Sequence, residues 1–288
     1  MSVHQMKHPQ TPKVSLDLVK VFDTRCSLGE GIFVQDNISA WADINSNHLY
    51  HFKNNLLIKS KVKSKPSVIF DCKKSSITFG ADIGLVNFNY KDDTESILLS
   101  VAEKHNLNDY RSNDGGFCGG HQYLSFMHRF NPDIHPGFIY RVLNKSWSLV
   151  EDSLHIPNTF IEIEKGQLLI SDSLNGEVWL YDIDKQGKII KKDLWKKFEY
   201  GSSPDGGCLI NNLVFITLWD GASIAVLDKR GNVIDRITMP VVRPTNCKFD
   251  SDNSMLWVTS ASEGLTKKEL EKYPQSGNTM VYKLKINN

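Results

Sequence analysis

Ile156-Pro157-Asn158-Thr159-Phe160 is the stretch on which the fold turns, because its asparagine has counterparts at a similar interval on either side. Ser112-Asn113-Asp114-Gly115 precedes it and Ser203-Pro204-Asp205-Gly206 follows, so Asn113, Asn158 and Asp205 stand 45 and 47 residues apart. Glu30, in Leu28-Gly29-Glu30-Gly31, lies 83 residues before Asn113, close to two such intervals. A period of about 40–50 residues built from short strands marks a β-propeller, whose four-stranded blades surround a central channel. Residues at one phase of the repeat converge on that channel, so these four side chains are expected to meet in one site.

The rest of the chain fits the same period. Six units in 288 residues average 48 each, which predicts an all-β, six-bladed propeller with almost no helix. Turn-bounded strands run from Gly29 to Phe52, from Arg111 to Val142, from Ile156 to Asp182, from Pro204 to Met239 and from Arg243 to Leu284. The second unit is the hardest to phase, with Ser67–Phe70, Ile77–Phe79, Ile83–Phe88 and Ile97–Val101 as its strands and no acid on the inner one. Before the first unit, Lys13–Phe22 alternates Val14, Leu16 and Leu18 with polar residues and is expected to close the last blade, removing a sheet edge. Residues 1–12 read as a flexible leader and 13–288 as one domain. The one helical signal, Lys267 to Lys272, is worth one or two turns.

Composition narrows the partners. A formal net charge of +1 gives no electrostatic reason to bind nucleic acid or an anionic membrane, so a small molecule is the expected partner. The start of the chain lacks a signal-peptide core and no run of about 18 apolar residues occurs, so a cytoplasmic protein is expected; a monomer or weak homodimer is the separate expectation for its assembly. The five cysteines are odd in number and scattered without a Cys-x-x-Cys pair, so buried free thiols are expected in place of disulfides or a zinc knuckle.

Glu30, Asn158 and Asp205 offer two carboxylates and an amide oxygen, a hard donor set suited to Ca²⁺, Mg²⁺ or Mn²⁺. Zn²⁺ is able to compete because it binds most sites more tightly. Gly-Glu-Gly, Pro-Asn and Pro-Asp-Gly are equally the composition of ordinary turns, and the residues alone leave both readings open.

Seven motifs occur in the order found in the regucalcin/gluconolactonase family, which includes senescence marker protein and luciferin-regenerating-enzyme-like members. They are Leu28-Gly29-Glu30-Gly31, Trp41-Ala42-Asp43-Ile44, Arg111-Ser112-Asn113-Asp114-Gly115, Ile156-Pro157-Asn158, Pro204-Asp205-Gly206, Arg243-Pro244-Thr245-Asn246-Cys247 and Leu256-Trp257-Val258-Thr259-Ser260-Ala261. The resemblance spans about Cys26 to Leu284. It implies a six-bladed propeller with one divalent metal ion at the channel mouth, held by Glu30, Asn158 and Asp205. It also implies hydrolysis of a sugar lactone such as gluconolactone, with Arg111 and Asn113 contacting substrate. In that chemistry the metal polarises the lactone carbonyl and Asp205 is the candidate base toward the attacking water. A calcium-binding regulatory propeller without catalysis, and a protein-interaction scaffold, are the alternatives.

The chain departs from the family pattern in three places. Thr159 stands where glycine commonly follows the asparagine, and Ile32 where proline often follows Gly-Glu-Gly. After the third inner strand, where the family usually carries small residues and then an acid, the chain reads Leu124-Ser125-Phe126-Met127-His128-Arg129. His128 and Arg129 are therefore candidate substrate-selecting residues, with a solvated hairpin as the plainer reading of His128. Trp41, Trp179, Trp219 and Trp257 are expected to pack between blades.

Overall fold

The computed structural model describes residues 12–287. The expected leader, apart from Pro12, lies outside the described residues. Chain order gives β1 (Lys13–Phe22), then a first sheet of β2 (Gly29–Gln35), β3 (Ile38–Asp43), β4 (His48–Lys53) and β5 (Leu56–Lys61). The second sheet holds β6 (Pro66–Cys72), β7 (Ser76–Ala81), β8 (Gly84–Asn89) and β9 (Thr94–Ser100), so its phasing follows the four stretches read from sequence. The third holds β10 (Tyr110–Cys118), β11 (His121–His128), β12 (Phe138–Leu143) and β13 (Ser146–Glu151), and the fourth β14 (Pro157–Glu164), β15 (Gln167–Asp172), β16 (Glu177–Ile183) and β17 (Ile189–Lys197). The fifth holds β18 (Ser203–Ile210), β19 (Leu213–Trp219), β20 (Ser223–Leu227) and β21 (Val233–Thr238). The sixth is completed from both ends of the chain: β22 (Arg243–Asp250), β23 (Met255–Ala261) and β24 (Thr279–Asn287) pair in turn, and β1 adds outside β24, with Val14 opposite Ile286 and Leu16 opposite Leu284. The innermost strands β2, β6, β10, β14, β18 and β22 touch one another in sequence and close the ring, which makes a six-bladed propeller. Helix α1 (Lys267–Lys272) is the one element of its kind among the described residues, and Thr266 and Glu269 form a capping box at its start.

Short polar turns set the hairpins. Asp36-Asn37, Asn54-Asn55, Asn144-Lys145 and Asn211-Asn212 each place two successive residues at φ between 48° and 65°, the left-handed pair of a type I′ turn, which asparagine and aspartate tolerate.

Each inner strand then carries a β-bulge at one phase: between Glu30 and Phe33, Pro66 and Val68, Ser112 and Gly115, Asn158 and Ile161, Pro204 and Gly207, and Pro244 and Asn246. A bulge bends the strand, re-aims its side chains and leaves carbonyls outside the ladder. Hydroxyls on the second strands take up those carbonyls. Ser125 Oγ is within bonding distance of the Asp114 and Pro157 carbonyls at 2.8 and 3.1 Å, and Thr217 Oγ1 of the Gly206 and Thr245 carbonyls at 2.8 and 2.7 Å. Both hydroxyls thus tie a bulge to the neighbouring blade, and polar bonds as well as apolar packing hold the channel wall.

Apolar side chains fill the spaces between blades. Ala40 and Ala42 meet Ile77 and Phe79 between the first two, and Phe22 and Trp257 stack at 5.5 Å where the ring closes onto Trp41. Trp41 and Trp257 are buried between blades as expected, and Trp179 packs half-buried against the cluster shared by the third and fourth blades, beneath the Lys192 ammonium. Trp219 packs against Leu28, Ile44 and Ala261 while also facing the channel mouth, with the Arg243 guanidinium 4.7 Å from its ring. All five cysteines are free and buried.

Blades three and four are joined by a polar clamp. The Glu151 carboxylate of β13 accepts from Lys192 Nζ at 2.8 Å and from the Tyr181 hydroxyl at 2.9 Å, both in the next blade. Burial alone would raise this carboxyl, but the bonds from Lys192, Ser153 and Tyr181 outweigh it and bring it down to about 2. A depressed folded-state pKa stabilises the fold above the unfolded value and loses that contribution as pH falls through the folded one. Glu151→Gln is accordingly expected to lower stability by about 1–3 kcal/mol at pH 7. The deficit should shrink between pH 4.5 and 2, as followed by denaturant unfolding across that range.

Candidate functional site

The bulges aim Glu30, Asn113, Asp114, Asn158, Asp205 and Asn246 toward the axis, and all six are buried. Asn158 Nδ2 donates to Asp205 Oδ1 at 2.5 Å, which ties blades four and five. Glu30 Oε2 accepts from its neighbour's Gly31 N–H at 2.9 Å and from Asn246 Nδ2 at 3.4 Å. Asn113 Nδ2 donates to the Pro157 carbonyl at 3.1 Å, while its Oδ1 accepts from Arg111 Nη1 at 2.8 Å. Glu30, Asn113, Asn158 and Asp205 thus come together from four blades. Close approach makes small residues necessary here: a Cβ on Gly206 would lie 2.2 Å from the Asn246 side chain.

Thr159 explains why glycine would be at home beside the asparagine. Its φ is +60°, a region that costs a β-branched residue about 1–2 kcal/mol. The hydroxyl compensates by bonding Ser171 Oγ at 2.9 Å and the Asp205 carbonyl, so the strained residue also braces the strand that carries Asp205.

The electrostatics of this floor are unbalanced. Burial, then the Asp114 charge, pushes the Glu30 carboxyl up to about 8. Burial, then the Glu30 and Asp114 charges, raises Asp205 well above the carboxylate range, and burial raises Asp114. Asn158 Oδ1 and Asn246 Oδ1 are buried without a hydrogen-bond partner. Crowded carboxylates beside orphaned amide oxygens fit a hard cation, which would relieve the repulsion and occupy a lone pair. Among the described residues no three His, Cys, Asp or Glu side chains gather as a metal cage by themselves. The fit therefore requires the Asn158 amide oxygen beside Glu30 and Asp205.

Above the floor opens a cavity of about 1210 Å³. Arg111, half-buried, reaches its wall, with one nitrogen on Asn113 Oδ1 and on the Ser112 carbonyl. Arg129 also lines it, fixed by Asp82 Oδ2 at 3.0 Å and by the Tyr110 and Leu107 carbonyls. His128 does not line the cavity. It is buried, not solvated: its Nδ1 accepts from the Phe130 and Asn131 amides at 3.2 and 3.0 Å, and its ring stacks on His135 at 4.6 Å. The ring shapes the turn that carries Phe130 to the mouth.

Sequence reasoning passed over four residues of this site. Asp114 stood inside a quoted motif, yet only the bulge turns two successive residues toward one channel. Asn246 lies 41 residues after Asp205, so the repeat itself could have found it. Lys65 and Trp219 carry no periodic signal: Lys65 reaches the cavity from the loop before β6 and Trp219 from the end of β19.

Residues 28–262 match the profile described as "SMP-30/Gluconolactonase/LRE-like region". The chain is 35% identical to regucalcin of Gallus gallus over 111 residues, 37% of each chain, so this match spans about a third of that relative. It is 24% identical over 282 residues to a Bacillus subtilis (strain 168) protein provisionally named sugar lactone lactonase YvrE, covering 91% of this chain and 93% of the relative. A calcium-binding protein, regucalcin, from Agrobacterium tumefaciens superposes with a TM-score of 0.85 at 20% identity, over 93% of this chain and 95% of that one, which is a likeness of fold.

Proposed function

This chain belongs to the SMP-30/gluconolactonase/LRE-like family, and on that premise we propose that it is a metal-dependent lactonase that opens a sugar lactone to its hydroxy acid. The observation that carries the reading is the floor of the cavity: two crowded, buried carboxylates, Glu30 and Asp205, beside the unpartnered Asn158 Oδ1. The names of the Bacillus subtilis and Agrobacterium relatives, a lactone lactonase and a calcium-binding protein, support the same chemistry.

Glu30, Asn158 and Asp205 would hold one divalent ion, of Ca, Mg, Mn or Zn. When bound, the ion supplies a Lewis acid toward the lactone carbonyl oxygen, worth several kcal/mol of charge stabilisation. Asp205 accepts a proton as water adds to the carbonyl carbon, then returns it to the ring oxygen as the acyl–oxygen bond breaks. Lactone and water are thereby converted to the hydroxy acid with no other reactant. Arg111 presents a fixed donor fork whose remaining N–H groups are free for the substrate's oxygens, and Asn113 holds that fork in place. Burial of the floor strengthens each of these interactions.

Chelation is expected to reduce gluconolactone hydrolysis to the buffer rate, and each divalent metal, added back in turn, to restore it to a different extent. Hydrolysis is followed as acid release at constant pH. A native protein saturated with each of the four metals that still opens no aldonolactone faster than buffer would falsify the reading. Tight Ca²⁺ binding under those conditions would leave the regulatory alternative in its place.

A further inference from the structure

One wall of the cavity carries more positive charge than its own acids answer. Lys65 leads into the second blade's inner strand, Arg111 lies on the third blade's inner strand, and Arg129 follows the third blade's second strand. Asp82 is the carboxylate among them, and it pairs with Arg129. Neither Lys65 nor Arg111 has a carboxylate at ion-pair distance among the described residues, which leaves both without a direct counterion. Lys65 Nζ donates to the Ile44 carbonyl at 3.2 Å and otherwise faces the cavity. Glu263, exposed in the sixth blade and lining the same cavity, is the acid whose charge acts most on Arg111, though it makes no ion pair with it. Its backbone carbonyl accepts from Arg243, whose Nε donates to Asp220 at 2.6 Å. The floor carboxylates Glu30 and Asp205 act on Arg111 as charges without pairing with it, and neither is among the main charges acting on Lys65.

Like charges gathered in a half-buried wall repel one another, and an anion between them would relieve that repulsion. We propose that the preferred lactone is itself anionic, with a carboxylate, phosphate or sulfonate group remote from the reacting carbonyl that binds between Lys65, Arg111 and Arg129. Arg111 and Arg129 supply planar forks suited to a carboxylate or phosphate, and Lys65 a point charge. Burial and then the Arg111 and Arg129 charges hold Lys65 below the ordinary lysine range, a direction that a bound anion would oppose. The inference rests on the lactonase reading for its reaction but not for its binding site.

Two measurements separate those dependences. In chelator, calorimetric titration compares glucose 6-phosphate with glucose, and the phosphate ester is expected to bind at least about tenfold more tightly, an increment one charge-assisted contact supplies. Lys65→Met should bring the two within about threefold of each other while the melting temperature holds, and Lys65→Gln serves if the methionine variant is poorly folded. With metal present, kcat/KM is compared for glucono-1,5-lactone, its 6-phosphate and glucaro-1,4-lactone; one or both charged lactones should be preferred by about tenfold or more, and which one identifies the anion. Equal binding of glucose and its phosphate, a difference that survives both Lys65 variants, or brisk lactone hydrolysis without charge preference overturns the anionic subsite. Tight, Lys65-dependent phosphate binding with no hydrolysis of any lactone upholds the subsite and overturns the lactonase reading instead.

Discussion

Asp205→Asn is expected to lower kcat/KM for lactone hydrolysis by about 10³-fold, even with metal at saturation. The substitution is nearly isosteric. It retains an oxygen that can still accept from Asn158 Nδ2, and it removes a carboxylate that burial and the Glu30 and Asp114 charges hold at high energy. Folding should therefore survive, and the metal-free variant should be at least as stable as the native protein. What disappears is half of the negative charge offered to the ion and the group that accepts the proton of water. The two losses are separable. If Asp205 served as a ligand alone, raising the metal concentration would return the rate, because affinity is a matter of mass action. If it is also the base, a deficit of about 10²-fold or more persists at saturation. Titrating each metal into the variant while recording initial rates measures both quantities, and recovery to within about tenfold of native would remove Asp205 from the proton-transfer role.

The legibility of the site follows from what periodicity can carry. Glu30, Asn113, Asn158 and Asp205 were readable because one side chain per blade at one phase is a one-dimensional signal, and the six bulges preserve that phase in space. The second blade, faint in sequence, was still recoverable strand by strand, since β6 to β9 follow its apolar runs. Asn246 shares the phase and was within reach. Asp114 was not, because two neighbours on a regular strand face opposite sides, and only the bulge between Ser112 and Gly115 brings Asp114 inward with Asn113. His128 and Arg129 illustrate the same limit from the other side. Adjacent in sequence at the end of β11, they part company: Arg129 reaches the cavity and His128 turns into the hairpin. Trp219 packs against residues of the neighbouring blades as expected and, because it ends β19 at the mouth, also meets Arg243.

Glu30→Gln should move stability and metal binding in opposite directions, and that pairing discriminates a metal site from a structural acid. In the metal-free protein the Glu30 carboxyl is raised to about 8, first by burial and then by Asp114. A raised folded-state pKa means that the native chain holds its proton more tightly than the unfolded one. Stability contributed by that proton is complete below the unfolded value near 4.5 and is lost as pH rises toward 8. A neutral glutamine escapes this loss. The metal-free variant is thus expected to gain about 1–3 kcal/mol over the metal-free native protein at pH 8 and nothing near pH 4. Metal binding reverses the order, because the ion requires the carboxylate that the empty site resists. Losing one of two anionic donors is expected to weaken divalent affinity by about 10²-fold or more, so that under excess metal the native protein becomes the more stable. Thermal unfolding of both proteins, with chelator and with metal, at pH 4 and pH 8, tests the crossing. A variant destabilised under all four conditions would make Glu30 a packing residue held by Gly31 and Asn246, and the ion would have to be sought elsewhere.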